Sequence, residues 1–315
     1  MSAATQYLVV TLLVYAGVSA IACWGLDLQF GQTGVLNLGF IMYVAIGAYL
    51  AGMLSLGPAS ATGYQHYLFG ARLPFPLPWI FSALGAGAIG GIVGLLSLRR
   101  LRGDYEAIVM LVVSLIALVV AGSDSGLIGG SNGLSNIPMP FGSLGLSQLG
   151  AGYLYVGVTA VATLLAGAVT WQLMRSPVGR LLRAVRENER TVVATGRSVA
   201  QVRILSYILG AVLAGLAGAI QAQFIGAWAP NGWNYTETFT LFAAVIIGGR
   251  GNQWGVLLGA TLLPVGVFQG VIFLPNLSSS INVAALQWIV AGLAVMAFMW
   301  FRPAGLLPER RRRLS

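Results

Sequence analysis

Few side chains in this sequence are equipped for covalent chemistry. There is one cysteine, Cys23, and one histidine, His66. That excludes an internal disulfide, a cysteine-based zinc site and any centre needing several histidines. His66 sits among Tyr, Gly and Pro, where a solvated or interfacial loop histidine is expected. Gly122-Ser123-Asp124-Ser125-Gly126 has the glycine-flanked serine of a nucleophile elbow. It lacks the strand–turn–helix setting and a histidine partner, and reads as a helix-terminating turn. All seventeen basic residues are Arg. Without Lys, neither a Walker A loop nor a Schiff base can form. No cofactor or metal is expected on this chain, and an intramembrane enzyme is the weakest of the functional readings.

What remains is polar chemistry at particular places, and the surrounding elements explain it. Charged residues make up 8% of the 315 residues, against about 25% in soluble domains. Mean hydropathy is +0.83. Such a chain cannot cover a water-facing surface. Met1–Leu26, Leu73–Leu98, Ser125–Met174 and Gly251–Phe301 carry no charge at all, and about 20 apolar residues suffice to cross a bilayer. The predicted spans are Tyr7–Gly25, Thr33–Leu54, Pro78–Leu98, Glu106–Gly122, Tyr153–Met174, Ile204–Phe224, Phe239–Gly248, Gly255–Leu274 and Val283–Phe301. Phe239–Gly248 is too short for a straight crossing. It is either extended N-terminally or a broken helix inside the bundle. The expectation is thus an all-α, polytopic integral membrane bundle of about nine spans, with residues 1–315 as one transmembrane domain. Without a basic N-terminal region, Met1–Leu26 reads as a retained span.

The net charge of +9 raises the question of nucleic acid, but position answers it. Fifteen of the seventeen Arg fall within Arg99–Arg102, Arg175–Arg203 and Arg302–Arg313, each beside an apolar run. This is the positive-inside pattern, so the partner is membrane lipid and not nucleic acid. With those clusters inside, nine spans place the N-terminus outside and the C-terminus inside, and Arg250 also falls inside. A tenth element near Trp24–Gly39 would reverse the N-terminus. Glycine is abundant, and Gly85, Gly87, Gly90, Gly91, Gly94, Gly210, Gly215 and Gly218 lie within spans, where small residues let helices approach. Gln32-Thr33-Gly34-Val35-Leu36 echoes Gln253-Trp254-Gly255-Val256-Leu257, a weak sign of an internal repeat. The acids Asp27, Asp104, Glu106, Asp124 and Glu237 fall at or near span ends, so no span centre is expected to carry a carboxylate.

Residues 175–203 form the longest basic segment between spans. Ser176 and Pro177 are a helix start and Gly196 a helix stop. Leu181, Leu182, Val185, Val192 and Val193 recur at helical spacing, opposite Arg180, Arg183, Glu187, Glu189 and Arg190. The segment reads as one amphipathic helix, either held by anionic lipid or docked as a lever on a cytoplasmic partner. Residues 302–315 are a basic tail.

Six motifs, in order, resemble those of LivM-type permeases, the membrane subunits of ABC importers for branched-chain amino acids. They are Gly31-Gln32-Thr33-Gly34-Val35-Leu36-Asn37-Leu38-Gly39 with Ile46-Gly47-Ala48-Tyr49, then Leu101-Arg102-Gly103-Asp104-Tyr105-Glu106-Ala107-Ile108, then Gly129-Gly130-Ser131-Asn132-Gly133-Leu134. Gly179–Glu189 with Ala194-Thr195-Gly196, Gly248–Gly255 and Phe301–Leu307 complete the set. Two positions depart from the family's usual pattern. Asn37-Leu38-Gly39-Phe40 stands where Ser-Leu-Gly-His is common, and Val193-Ala194-Thr195-Gly196 stands where Glu-Ala-Leu-Gly is common.

The resemblance implies a permease subunit in the cytoplasmic (inner) membrane, without its own ATPase site, that forms half of a translocation path by alternating access. It implies a second homologous permease, two cytoplasmic ATP-binding subunits and an extracytoplasmic solute-binding protein, with ATP on the partner subunits. It implies that Gly179, Arg180, Arg183, Arg186, Glu187, Glu189, Ala194 and Gly196 contact the ATPases. Gln32, Thr33, Asn37, Ser131 and Asn132 are candidate polar positions on the path. The solute class is branched-chain or related neutral amino acids. Urea or short amides carried by the same kind of permease, or a stand-alone channel or carrier for a small neutral solute, are the alternatives.

Overall fold

The computed structural model describes residues 3–58, 65–97, 103–142, 145–269 and 283–309. The Arg99–Arg102 and Arg310–Arg313 clusters, the opening Leu101-Arg102 of the second motif and the end of the expected eighth span toward Leu274 lie outside those residues. Helices dominate: α1 (Ala3–Asp27), α2 (Ile41–Ser55), α3 (Leu77–Ser97), α4 (Gly103–Ser123), the short α5 (Ser125–Ile128) and α6 (Gln148–Arg175). Then come α7 (Pro177–Glu187), α8 (Glu189–Ala194), α9 (Val199–Ile225), α10 (Tyr235–Gly248), α11 (Gln253–Ala260) and α12 (Val283–Phe301). Five segments are long and apolar enough to cross a membrane: Thr5–Gln32, Leu77–Ser97, Tyr105–Ser123, Gln148–Arg175 and Val199–Ile225. Ile41–Ser55, Gln253–Val267 and Gln287–Phe301 are shorter apolar helices. Apolar side chains such as Leu96, Val119, Leu164 and Trp300 point outward and exposed, as expected where the surrounding solvent is hydrocarbon.

Helix α9 is the axis of the bundle and packs against α1, α2 and α3. Small residues make this possible. A Cβ on Gly218 would stand 1.9 Å from the Val44 carbonyl oxygen, and one on Gly47 would stand 2.1 Å from that of Gly215. The glycines of α3 and α9 are thus packing residues, as their abundance suggested: a Cβ on Gly90 would meet the Ala211 Cβ at 2.5 Å.

Several predicted boundaries shift. The second span, expected from Thr33, becomes helical only at Ile41. Gly34 turns the chain with φ +78°. Asn37 then takes over the backbone's role, accepting from the Gly39 amide at 3.1 Å and donating to Gln29 Oε1 at 2.9 Å. Helix α1 continues beyond its predicted end through a wide π turn, Leu28–Gln32, so Trp24–Gly39 holds no separate crossing helix. Of the two readings for Phe239–Gly248, extension is the outcome, but only back to Tyr235, where Asn234 caps the helix by accepting from the Thr236 amide at 2.8 Å. Helix α11 passes into a second π segment, Thr261–Gln269, around Pro264, which has no amide hydrogen to give the ladder. The turn after Gly122 is confirmed: α4 stops at Ser123, and Asp124 Oδ1 caps α5 at 2.9 and 3.1 Å. The Gln32–Leu36 echo does not extend to conformation, since its partner sequence begins α11 while the first copy is irregular.

The bundle has two distinct ends. At one, strands β1 (Leu134–Ser135) and β2 (Ala227–Trp228) pair antiparallel, with Tyr67 bridging to Ile128; this is the strand end. At the other, the end of α1, the α10–α11 bend, α7 and the stretch after α12 meet. There the Leu306 amide donates to Ile247 O at 2.8 Å and Leu307 to Gly248 O at 3.0 Å. This is the basic end.

Candidate functional site

The amphipathic segment is built from its caps. Ser176 Oγ accepts from the Val178 and Gly179 amides at 3.2 and 3.4 Å, with Pro177 opening α7. The single predicted helix is in fact two. Asn188 leaves helical geometry and its Oδ1 accepts from Arg190 and Thr191 at 3.0 and 3.3 Å, starting α8. A side chain that caps so well outcompetes the apolar periodicity running across it. Leu182, Val185, Val192 and Val202 close a small core of their own. Gly196, at φ +76°, turns the chain into α9, which Ser198 caps.

This separates the predicted contact residues into two groups. Arg180, Glu187, Ala194 and Gly196 are exposed. Gly179, Arg183 and Arg186 hold the segment in place, and Glu189 does so while exposed. Gly179 has no room for a Cβ, which would lie 2.5 Å from Met174 O. Arg183 Nη2 donates to Met174 O at 3.1 Å, and Glu189 pairs with Arg203. Arg186 is the central tie, with one nitrogen donating to Gly31 O and the other to Glu309 Oε2 at 2.6 Å.

Behind Arg186 lies a fully buried polar knot. Asp27 Oδ1 accepts from the Gly251 amide at 2.8 Å. Gln32 Nε2 reaches Gly251 O at 3.0 Å, Asp27 Oδ2 at 3.4 Å and Met174 Sδ at 3.2 Å. Thr33 donates to Leu28 O at 2.8 Å. The structure therefore gathers Gln32 and Thr33 at the basic end, beside the amphipathic segment, and buries Asn37 against Gln29. Ser131 and Asn132 are exposed at the opposite, strand end, where Ser131 borders a depression of about 360 Å³ with Asn231, Trp233 and Asn234.

None of those five residues lines the main cavity. A cleft of about 500 Å³ opens between α1, α2, α9 and α10. Helix α1 contributes Tyr15, Val18, Ser19 and Ala22, at helical i, i+3, i+4, i+7 spacing. Helix α10 contributes Glu237, Thr240 and Leu241 on one stripe, with Gln221 of α9 and Val44 of α2 on the other walls. A tie between α2 and α10 fixes the walls: the Ile41 amide donates to Thr238 Oγ1 at 3.1 Å. Among the described residues the cleft lining has one carboxylate and no basic side chain.

Glu237 sits at a helix end, as expected, in the first turn of α10, and it faces the cleft. Helix α10 is short. Eleven residues separate it from Gly248 at the basic end, about 16 Å at helical rise and roughly half a hydrocarbon core. The sequence did hold a signal, since Glu237 is the only charge between Arg203 and Arg250. Tyr15 and Gln221 gave none. Among the described residues no group of three His, Cys, Asp or Glu could hold a metal ion.

Long apolar helices around a partly polar interior cleft define a multi-pass helical membrane protein. Comparison with known proteins gives the family. Residues 8–299 match the model of the permease component of branched-chain amino acid transport systems. The high-affinity branched-chain amino acid permease LivM of Salmonella typhimurium is 31% identical over 92% of this chain and 68% of its own. A probable LivM of Methanocaldococcus jannaschii is 26% identical over 96% and 94%. The same organism's probable LivH is 28% identical over 93% and 90%. No solved structure matches. The chain belongs to the branched-chain amino acid transport permease family.

Proposed function

We propose that this chain is one of two permease halves in an ABC importer for branched-chain or related neutral amino acids, resident in the cytoplasmic membrane. The match over residues 8–299 carries the reading. Similarity to both a LivM and a LivH favours pairing with a second, homologous permease. The topology we assign has nine crossings, N-terminus outside and C-terminus inside. It is supported by the gathering of the 175–203 segment, Arg250 and the region after Arg302 at one end of the bundle, where the positive-inside rule places the cytoplasm. Solute from a binding protein enters at the strand end. ATPases dock on the exposed Arg180, Glu187, Ala194 and Gly196.

The lever is α1. The same helix lines the cleft at Tyr15 and Ser19 and meets Arg186 at Gly31. Ser19 and Gly31 are twelve residues apart in sequence, about 18 Å along a helix. A push on α7 by ATPase closure therefore moves a wall of the cleft, and the path opens inward, a mechanical two-state linkage. The test is isolation of the chain from its native host in mild detergent. A second permease and two P-loop ATPases should accompany it. A chain that comes down alone and conducts solute unaided in liposomes overturns the importer.

A further inference from the structure

The cleft has polar and apolar walls side by side. Helices α1 and α10 both run from the strand end to the basic end, while α9 runs back and α2 leaves the basic end. Depth therefore follows from residue number. Tyr15 and Glu237 come before Val18, Ala22 and Leu241 on their helices, and Gln221 comes after Ala217 on α9. Tyr15, Gln221 and Glu237 form a polar group on three of its walls, with Ser19 and Thr240 further along α1 and α10. Aliphatic Val18, Ala22, Val44 and Leu241 stand beside them, and Ile225, Ala227 and Trp228 close the strand end.

We propose that Glu237 recognises the ammonium group of the solute and makes this permease select amines with an aliphatic tail over neutral amides of the same shape. The inference rests on the amino-acid reading above and deepens it. A carboxylate facing a cleft walled mainly by apolar atoms favours a cation strongly, because little else there balances its charge. No basic side chain of the described residues forms an ion pair with Glu237, and none lines the cleft. It stands in the first turn of α10, where a helix N-terminus favours negative charge. That helix-end role needs only the charge, whichever way the side chain faces. The structure turns it into the cleft, exposed there and near enough to Tyr15 for the two to interact. The Tyr15 hydroxyl and the Gln221 amide then supply donors for the carboxylate of a zwitterion. The branched tail falls against Val18, Val44 and Leu241.

The experiment uses the complete importer in proteoliposomes, with L-leucine as the solute. Glu237→Gln should lower leucine uptake about ten- to a hundredfold, the range for a lost charge-assisted hydrogen bond. Glu237→Asp, which keeps the charge, should recover part of it. Wild-type uptake by E237Q overturns the proposal. A wild-type importer that moves no leucine overturns the amino-acid reading instead. A second measurement needs neither transport nor a variant: carbodiimide labelling of Glu237 in the wild-type chain, read by mass spectrometry. L-Leucine and 3-methylbutylamine should protect Glu237, and 4-methylpentanamide should not. Equal labelling with amine and amide overturns the proposal, including where E237Q fails to assemble.

Discussion

A few backbone positions decide what the amphipathic segment can do. Gly196 is exposed, nothing lies within 4 Å of where its Cβ would be, and its φ is +76°. Space is therefore not the constraint there; conformation is. Proline holds φ near −65°, so Gly196→Pro breaks the turn between α8 and α9 without disturbing any packed neighbour. Uptake should be abolished while the amount of chain in the membrane, measured by immunoblot, stays at the wild-type level. Normal uptake would remove this segment from the coupling path. Ser176, Pro177 and Gly196 were all readable beforehand because caps and turns are local chemistry. Asn188 was not, because its effect depends on a side-chain bond competing with an apolar repeat that continues on both sides. The Glu237 carboxylate was visible as an isolated charge. Its depth was not, because depth depends on where the short α10 sits among its neighbours.

At the scale of elements, lipid changes what a sequence reveals. A helix buried among other helices in hydrocarbon is apolar on every face, so periodicity fades and only breakers mark its ends. This is why the predicted bounds of α3 and α12 agree nearly to the residue, while α6 and α9 begin five residues before their predicted starts and Thr33–Phe40 reads as helix but is irregular. Contacts between helices depend on glycine. Gly218 of α9 stands where a Cβ would overlap the Val44 carbonyl at 1.9 Å. Neither backbone can withdraw cheaply, so Gly218→Val should cost more than the ~1–3 kcal/mol of ordinary overpacking. It should sharply reduce the yield of monodisperse protein in detergent. Gly122→Ala is the matched control, since nothing lies within 4 Å of its Cβ. It should leave Tm unchanged or raise it slightly, by the helix-propensity gain of up to ~1 kcal/mol. Equal losses in both would mean that close approach is not what these glycines provide.

The whole molecule connects a cleft in its middle to a platform at one end, and this was the least legible level. The cleft walls come from four helices far apart in sequence, and no linear motif joins Tyr15, Gln221 and Glu237. The connection itself is testable. Arg186 keeps 20% of its side chain exposed and Glu309 27%, so water still reaches the pair and it should add only ~1 kcal/mol to stability. Its value lies in tying α7 to Gly31 at the end of α1. Arg186→Ala should therefore leave the importer assembled and hydrolysing ATP while uptake falls at least about fivefold, the low end of typical coupling energies. Parallel assays of phosphate release and leucine uptake in one proteoliposome preparation decide it, and a proportional loss of both would place Arg186 in assembly instead.

The order in which the chain is made gives one of these contacts a further meaning. Leu306 and Leu307 bind the backbone of Ile247 and Gly248, Pro308 O accepts from the Asn252 side chain, and Glu309 completes the Arg186 pair. The α7–α8 platform is synthesised more than a hundred residues earlier, yet its seat is finished only when these last described residues leave the ribosome. A chain released before Leu306 carries α7 and α8 in full but lacks the clasp that holds them to the bundle. The platform is thus seated late, only after α9 through α12 have been translated.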